Sequence, residues 1–139
     1  RDGHSAKFER NAQNPLEADV IIIDDMISSG ESIIEVATEL KRRKANRIFA
    51  AATFGLFTNG LEKFDKAYEE GVLTGVLTTN LIYQTPELLS KPYYINCDMS
   101  KYIALIIDTL NHDGSLSQIL SPNERIQNVL RKYKNGEKI

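Results

Sequence analysis

The sequence lacks several features that would assign it to a particular class of protein. Its 139 residues include a single cysteine, Cys97, so no disulfide can form within the chain. The longest apolar runs are far shorter than the ~20 residues that a membrane-spanning helix needs. No secretory signal pattern is visible either. These absences predict a protein of the reducing cytoplasm that has no membrane partner.

Strong charge of either sign is also lacking. The chain has 17 Lys and Arg residues against 19 Asp and Glu residues, which gives a net charge of −2 at pH 7. This balance leaves no broad positive field to attract nucleic acid, so we predict no nucleic-acid partner. A local anion site is still compatible with it, because the backbone amides at a helix start bind anions without any net charge.

The residues that are present predict alternating strands and helices. Residues 1–17 are polar and aperiodic, which predicts an irregular segment, and residues 18–139 have the length of one ordinary domain. The alternation indicates an α/β fold with a mainly parallel open sheet flanked by helices. The predicted strands are Asp19–Asp24, Arg47–Thr53, Val72–Thr79 and Tyr93–Asn96, and the predicted helices are Glu31–Lys44, Leu61–Glu70, Met99–His112 and Pro122–Lys134.

Two of these elements carry expectations about burial. Four β-branched residues in a row in the first strand predict that both of its faces are covered, as is typical of parallel sheets. In the third predicted helix, helical spacing predicts an inward-facing stripe that consists of Ile103, Ile106, Ile107 and Leu110.

The segment that follows the first strand combines residues suited to a phosphate ester. Ser28, Ser29 and Ser32 supply hydroxyl groups around a helix start, where free amides and the helix dipole favour a phosphate. Gly30 removes a Cβ at a point where the backbone must approach an anion closely. An ordinary capping box, Ser28 with Glu31 or Ser32 with Glu35, would explain the same residues without a ligand.

Two acids, Asp24 and Asp25, end the strand one turn before this segment. Ligands of open α/β sheets bind outside the carboxyl ends of the strands. Carboxylates at that position can accept hydrogen bonds from vicinal sugar hydroxyls, or reach a magnesium ion through water. Two acids after a strand can also be plain turn residues, and the spacing alone does not separate these alternatives.

The segment from Val20 to Ser32 resembles the signature that binds 5-phosphoribosyl 1-pyrophosphate (PRPP) in type I phosphoribosyltransferases and PRPP synthetases. Four aliphatic residues, two acids, two variable residues and a hydroxyl–glycine turn follow one another in the same order. The continuation from Lys41 to Thr58 is similar to the synthetase pattern, in which a helix with a basic end leads to a strand and then to Thr-His-Gly. The chain therefore resembles the C-terminal half of the ribose-phosphate pyrophosphokinases, the PRPP synthetases.

This resemblance implies a type I phosphoribosyltransferase-like domain that binds ribose 5-phosphate. The enzymes of the family transfer pyrophosphate from Mg-ATP to ribose 5-phosphate, which gives PRPP and AMP for nucleotide biosynthesis, and they assemble as dimers or hexamers. Most ATP contacts belong to an N-terminal half that the sequence does not include, so we expect the chain alone to be inactive. The residues implied for the 5-phosphate are Ser28, Ser29, Gly30, Glu31 and Ser32, and those implied for the ribose hydroxyls and Mg²⁺ are Asp24 and Asp25.

The chain departs from the family pattern at three positions. Ser28 replaces a third acid, Glu31 replaces a small residue, and Phe54 replaces the histidine of Thr-His-Gly. The carboxylate of Glu31 must point away from a phosphate bound at this turn, because the two negative charges repel each other.

Two other functions remain open from the sequence. The first is a phosphoribosyltransferase that consumes PRPP, which a base-binding hood and a catalytic loop before the strand would favour; neither is visible. The second is a non-catalytic, synthetase-like regulatory subunit, which the altered turn from Ser28 to Ser32 keeps open.

Overall fold

The computed structural model describes residues 17–120 and 123–137. Apart from residue 17, the predicted irregular segment lies outside the described residues, as does Pro122. The elements run in the order β1 (Val20–Ile27), α1 (Glu31–Arg42), β2 (Ile48–Gly55), α2 (Glu62–Glu69), β3 (Gly75–Thr79), α3 (Pro86–Ser90), β4 (Tyr94–Cys97), α4 (Ser100–Asn111), α5 (Ser117–Leu120) and α6 (Asn123–Lys134).

The described strands form one sheet in the order β1-β2-β3-β4, and every neighbouring pair is parallel. The predicted α/β fold with a parallel sheet flanked by helices is therefore confirmed. Strand β1 continues beyond its predicted end at Asp24 as far as Ile27, which pairs with Gly55 of β2. Helices α3 and α5 were not predicted, because elements this short do not complete a recognisable helical period.

The core lies between one face of the sheet and the helices α1 and α2. Apolar residues at helical spacing on both helices pack against small and β-branched residues of the strands. Burial of this kind is the main favourable contribution to folding. The core residues of the two helices are Ile33, Ala37, Leu40, Phe64 and Ala67, and those of β2 are Ile48, Ala50 and Ala52.

The opposite face of β1 is open. Ile23 is 81% exposed and Ile21 is 62% exposed, so the prediction that both faces of this strand are covered is wrong for the described residues. The strand order explains the difference. Strand β1 is the edge of the sheet, and crossovers of one hand between consecutive strands place α1 and α2 on the same face.

The chain divides into two compact units, residues 1–98 and 99–139. In the second unit, the stripe predicted to face inward on α4 is not buried, and Ile107 is 61% exposed. Ile103 and Ile106 of the stripe are half-buried, and Tyr102 of α4 donates a hydrogen bond to the carbonyl of Ile119 in α5, whose side chain is buried. No described helix has the length and apolar character needed to span a bilayer.

Candidate functional site

The turn between β1 and α1 is held in place by the loop that follows β2. The Leu56 amide donates a hydrogen bond to the Ile27 carbonyl at 2.8 Å, and the Thr58 amide donates one to the Ser28 carbonyl at 3.0 Å. These bonds extend the parallel pairing of the two strands into the two loops. The backbone of the turn is therefore fixed by main-chain contacts at the carboxyl end of the sheet.

Gly30 satisfies two separate requirements of this turn. Its φ is 79°, in the left-handed region that a residue with a Cβ adopts only under strain. A Cβ at this position would also lie 2.1 Å from Cζ of Phe64. The Phe64 ring is fully buried and packs edge-to-face on Phe57, with ring centroids 5.2 Å apart. Glycine is therefore the residue that fits at position 30, where the loop between β1 and α1 packs against the first turn of α2.

The start of α1 has no side-chain cap. Gly30 is the N-cap residue, so neither of the two capping boxes that the sequence allows is formed. The nearest side-chain acceptor is Oγ of Ser29, which lies 3.5 Å from the Glu31 amide, at the limit of a hydrogen bond. The first amides of the helix, those of Glu31, Ser32 and Ile33, have no acceptor within the helix. An anion at this point would meet free donors and the positive end of the helix dipole.

The hydroxyl groups predicted for the site surround this helix start. Ser28 and Ser32 are exposed, whereas Ser29 is half-buried. Oγ of Ser28 lies 3.5 Å from Oγ1 of Thr58. Thr58 thus adds a further hydroxyl from the neighbouring loop, which the sequence did not assign to the site.

Asp24 and Asp25 lie in the last half of β1 and both are exposed. Asp24 pairs in register with Ala52, and its Oδ1 accepts a hydrogen bond from the Asp25 amide at 2.8 Å. Consecutive residues of a strand project to opposite faces, so the two carboxylates lie on two sides of the strand end. Within the described part of the chain, no group of three or more His, Cys, Asp and Glu side chains could hold a metal ion.

Glu31, the first residue of α1, forms an ion pair with Lys63 of α2. The hydrogen bond from Lys63, together with its positive charge, lowers the pKa of the Glu31 carboxyl group below its usual value. The sequence contained no signal for this contact, because its two residues belong to different helices.

A cavity of about 180 Å³ lies beside this turn. It is bounded by the loop from Gly55 to Glu62 and by the segment from Tyr83 to Leu88, and none of the seven predicted site residues lines it. The separation of the cavity from these residues does not conflict with an anion site at the turn, because a helix start can bind an anion at the surface without an enclosed cavity.

An all-parallel described sheet with helices on one face, and an uncapped helix start beyond the carboxyl end of its first strand, define an open α/β domain. The sequence model of the family described as the phosphoribosyl synthetase-associated domain matches residues 18–121, and the chain belongs to this family.

Individual relatives carry names that agree with this family. The ribose-phosphate pyrophosphokinase of Shewanella oneidensis is 32% identical over 103 residues, which cover 74% of this chain and 32% of that protein. The ribose-phosphate pyrophosphokinase of Pyrococcus furiosus is 36% identical over 74 residues, which cover 51% of this chain and 26% of that protein. The chain therefore spans between about a quarter and a third of the length of these curated relatives.

The fold is also found in a solved structure. The crystal structure of phosphoribosylpyrophosphate synthetase from Mycobacterium smegmatis superimposes with a TM-score of 0.64 over 74% of this chain and 33% of that one. The two sequences are 21% identical, so this likeness supports the fold.

Proposed function

We propose that this chain provides the ribose 5-phosphate site of a ribose-phosphate pyrophosphokinase, an enzyme that converts Mg-ATP and ribose 5-phosphate into PRPP and AMP. The observation that carries the proposal is the uncapped start of α1, which a short turn joins to a strand with two acids in its second half, in a member of the phosphoribosyl synthetase-associated family.

The 5-phosphate would bind at the turn from Ser28 to Ser32. The amides of Glu31, Ser32 and Ile33 are available donors, and the serine hydroxyls add neutral ones. Hydrogen bonds between amides and a phosphate are charge-assisted and roughly twice as strong as neutral bonds. The turn would thus hold the end of the sugar that does not react.

The ribose hydroxyls would bind to Asp24 and Asp25, whose exposed carboxylates accept hydrogen bonds. Either carboxylate could also hold Mg²⁺, through water or directly, since the ion is usually held by one or two carboxylates together with waters and substrate phosphates. When bound, Mg²⁺ would neutralise negative charge on the transferring phosphates. The role of this chain would be to hold the sugar so that its anomeric hydroxyl is oriented for attack.

In this proposal, the chain does not by itself supply the complete ATP site or the oligomer. Since the chain spans between about a quarter and a third of these relatives' length, we assign most ATP contacts to other parts of the intact protein or to neighbouring subunits of a homo-oligomer, a dimer or a hexamer. The compartment would be the cytoplasm. We expect the 139-residue chain by itself to bind ribose 5-phosphate weakly and to release AMP near the background rate.

The test uses the intact protein with Asp24→Asn and Asp25→Asn, which keep the size of the side chain and remove its charge. Each variant is expected to form PRPP and AMP roughly tenfold to a hundredfold more slowly, because a charge-assisted hydrogen bond is lost. Glu69→Gln, a change at an exposed acid near the C-terminal end of α2, is the matched control and should retain the wild-type rate. Wild-type rates in both aspartate variants would exclude the proposed role.

The same assay separates the two other functions. Ribose 5-phosphate binding without any turnover in the intact protein would favour a regulatory subunit. Consumption of PRPP in the presence of a nucleobase, with no dependence on ATP, would favour a phosphoribosyltransferase.

A further inference from the structure

Glu31 brings a negative charge to the place where the proposed function requires a phosphate to bind. It is the first residue of α1, and its amide lies 3.5 Å from Oγ of Ser29, at the limit of a hydrogen bond. A carboxylate and a phosphate at the same helix start repel each other unless a cation compensates one of them. The turn therefore needs an additional feature if it is to bind a phosphate ester.

Lys63 supplies that cation from the neighbouring helix. Its Nζ pairs with Oε1 of Glu31, and the side chains of Lys63 and Glu31 are 53% and 54% exposed. The contact draws the carboxylate towards α2. It lies at the surface, next to the helix start, where an incoming ligand would meet both charges.

The position of Lys63 is determined by the residue next to it. Phe64 is completely buried against Gly30 and Phe57, which fixes the first turn of α2 beside the first turn of α1. Because Lys63 precedes Phe64 in the same helical turn, its side chain starts within reach of Glu31. The packing of an aromatic ring on a glycine thus places a cation at the site.

We infer that Lys63 is a positioning residue of the phosphate site, which holds the Glu31 carboxylate on the side of α2 and cancels its charge so that a phosphate monoester can reach the amides of α1. This inference rests on the proposed function. It makes the affinity of the turn for a phosphate monoester depend on two residues that act together: Glu31 is tolerated because Lys63 is present, and Lys63 is needed because Glu31 is present.

The test is a titration of the intact protein with ribose 5-phosphate, and separately with inorganic phosphate, by calorimetry at low ionic strength. Lys63→Met should weaken ribose 5-phosphate binding at least fivefold, on the order of what an uncompensated nearby charge produces at a protein surface. Lys63→Arg should stay within about twofold of wild type, because it preserves the charge. Glu31→Gln alone should bind more tightly than wild type, because it removes the negative charge and leaves the positive charge of Lys63.

The double variant Glu31→Gln/Lys63→Met decides between a charge effect and a structural one. If Lys63 acts by compensating Glu31, the double variant should return to within about twofold of wild type, because both carry the same net charge at this pair. Lys66→Met is the control for removing a lysine of α2, since Lys66 pairs with Glu70 instead and should leave affinity unchanged. The loss in Lys63→Met should also shrink in high salt, which a packing defect would not do.

The results separate the inference from the function on which it rests. If wild-type protein binds neither ligand, the proposed function fails and the inference fails with it. If wild-type protein binds and Lys63→Met binds equally well, or if Glu31→Gln does not restore the double variant, the inference is overturned while the proposed function stands.

Discussion

The turns that precede α1 and α2 lie at the same end of the sheet, and each contains a glycine with positive φ, 79° at Gly30 and 78° at Gly60. Neither helix has a side-chain cap. The chemistry of the two turns nevertheless differs. The α1 turn carries hydroxyl groups and one carboxylate that Lys63 compensates, whereas α2 begins with two acids, Glu62 and Asp65. A free helix start is therefore not sufficient for an anion site, because the side chains around it decide the local charge.

The two glycines also differ in what surrounds them. A Cβ at Gly30 would meet the buried ring of Phe64 at 2.1 Å, while a Cβ at Gly60 would meet the carboxylate end of Glu62 at 2.4 Å. The ring cannot move without disturbing the core, but the end of an exposed glutamate can rotate away. The backbone strain is shared by both positions, and the packing clash belongs to Gly30 alone.

The largest expected effect follows from this difference. Gly30→Ala should lower the free energy of unfolding by about 2–4 kcal/mol, the sum of left-handed strain and overpacking of the core. Gly60→Ala should lower it by about 1–2 kcal/mol, from the strain alone. Urea denaturation of the intact protein, followed by circular dichroism, measures both values.

Gly71→Ala provides the reference for this pair, since Gly71 has φ 67° and an added Cβ there would have nothing within 4 Å. Its loss should match that of Gly60→Ala. Equal losses in all three variants would show that Phe64 yields to the added methyl group, and that Gly30 is no more constrained than the other two.

Much of this architecture could be predicted from local sequence. The strand β1, the turn and the start of α1 are one continuous segment, so a β-branched run followed by acids, serines and Gly30 was sufficient to predict these three elements, on which the proposed site depends. The same holds for the extent of α1, predicted as Glu31–Lys44 and found as Glu31–Arg42. These features depend on neighbours a few residues apart in the chain.

The features that were missed depend on contacts between distant segments. The pair between Glu31 and Lys63 joins two helices, and the fit of Phe64 against Gly30 requires both helices to lie on one face of the sheet. The exposure of Ile23 has the same origin, because α1 and α2 pack on the other face of the sheet. Periodicity gives the faces of an element but does not say which of them another element covers.

A smaller effect on stability is expected when an acid is placed in the first turn of α1, as it is in α2. Ser32→Asp places a carboxylate in the first turn of α1, where the dipole should stabilise the helix by about 0.3–1 kcal/mol. The same charge should weaken ribose 5-phosphate binding by roughly tenfold or more, because it repels the phosphate at short range. Stability and affinity are thus predicted to change in opposite directions, as denaturation and calorimetry would show.

Two further variants help to interpret Ser32→Asp, because they separate the effect of the added charge from the effect of losing the hydroxyl group. Ser32→Ala removes one neutral donor and should weaken binding by roughly twofold to tenfold without stabilising the helix. Glu62→Gln, in the α2 turn, should leave the affinity for ribose 5-phosphate unchanged. A tenfold change in the Glu62 variant would mean that both turns contribute to one anion site, and the contrast between them would be lost.

The smallest expected effect concerns Asp65 of α2, whose carboxylate stabilises the fold. Asp65 accepts hydrogen bonds from Nζ of Lys91 at 2.7 Å and from the hydroxyl of Tyr93 at 2.8 Å, which ties α2 to the segment before β4. Partial burial raises the pKa of the Asp65 carboxyl group, but the hydrogen bonds from Lys91 and Tyr93 outweigh it, so the pKa lies below its usual value. The charged form of Asp65 therefore stabilises the folded chain.

Asp65→Asn should accordingly lower the free energy of unfolding at neutral pH by about 1–2 kcal/mol, since one charge-assisted bond becomes a neutral one and Lys91 loses its closest partner. A carboxyl group whose folded pKa is depressed contributes stability above its unfolded pKa of about 4 and loses it as the pH falls through the folded value. The difference between wild type and Asp65→Asn should thus be complete at about pH 6–7 and shrink progressively below about pH 4.

Glu87→Gln is the matched control, because Glu87 approaches Lys91 only to 3.5 Å and is largely exposed, so its removal should change stability little at any pH. Ribose 5-phosphate affinity should be unchanged in both variants. A stability difference for Asp65→Asn that persists undiminished at about pH 2 would place its origin in packing rather than in the charge of the carboxylate.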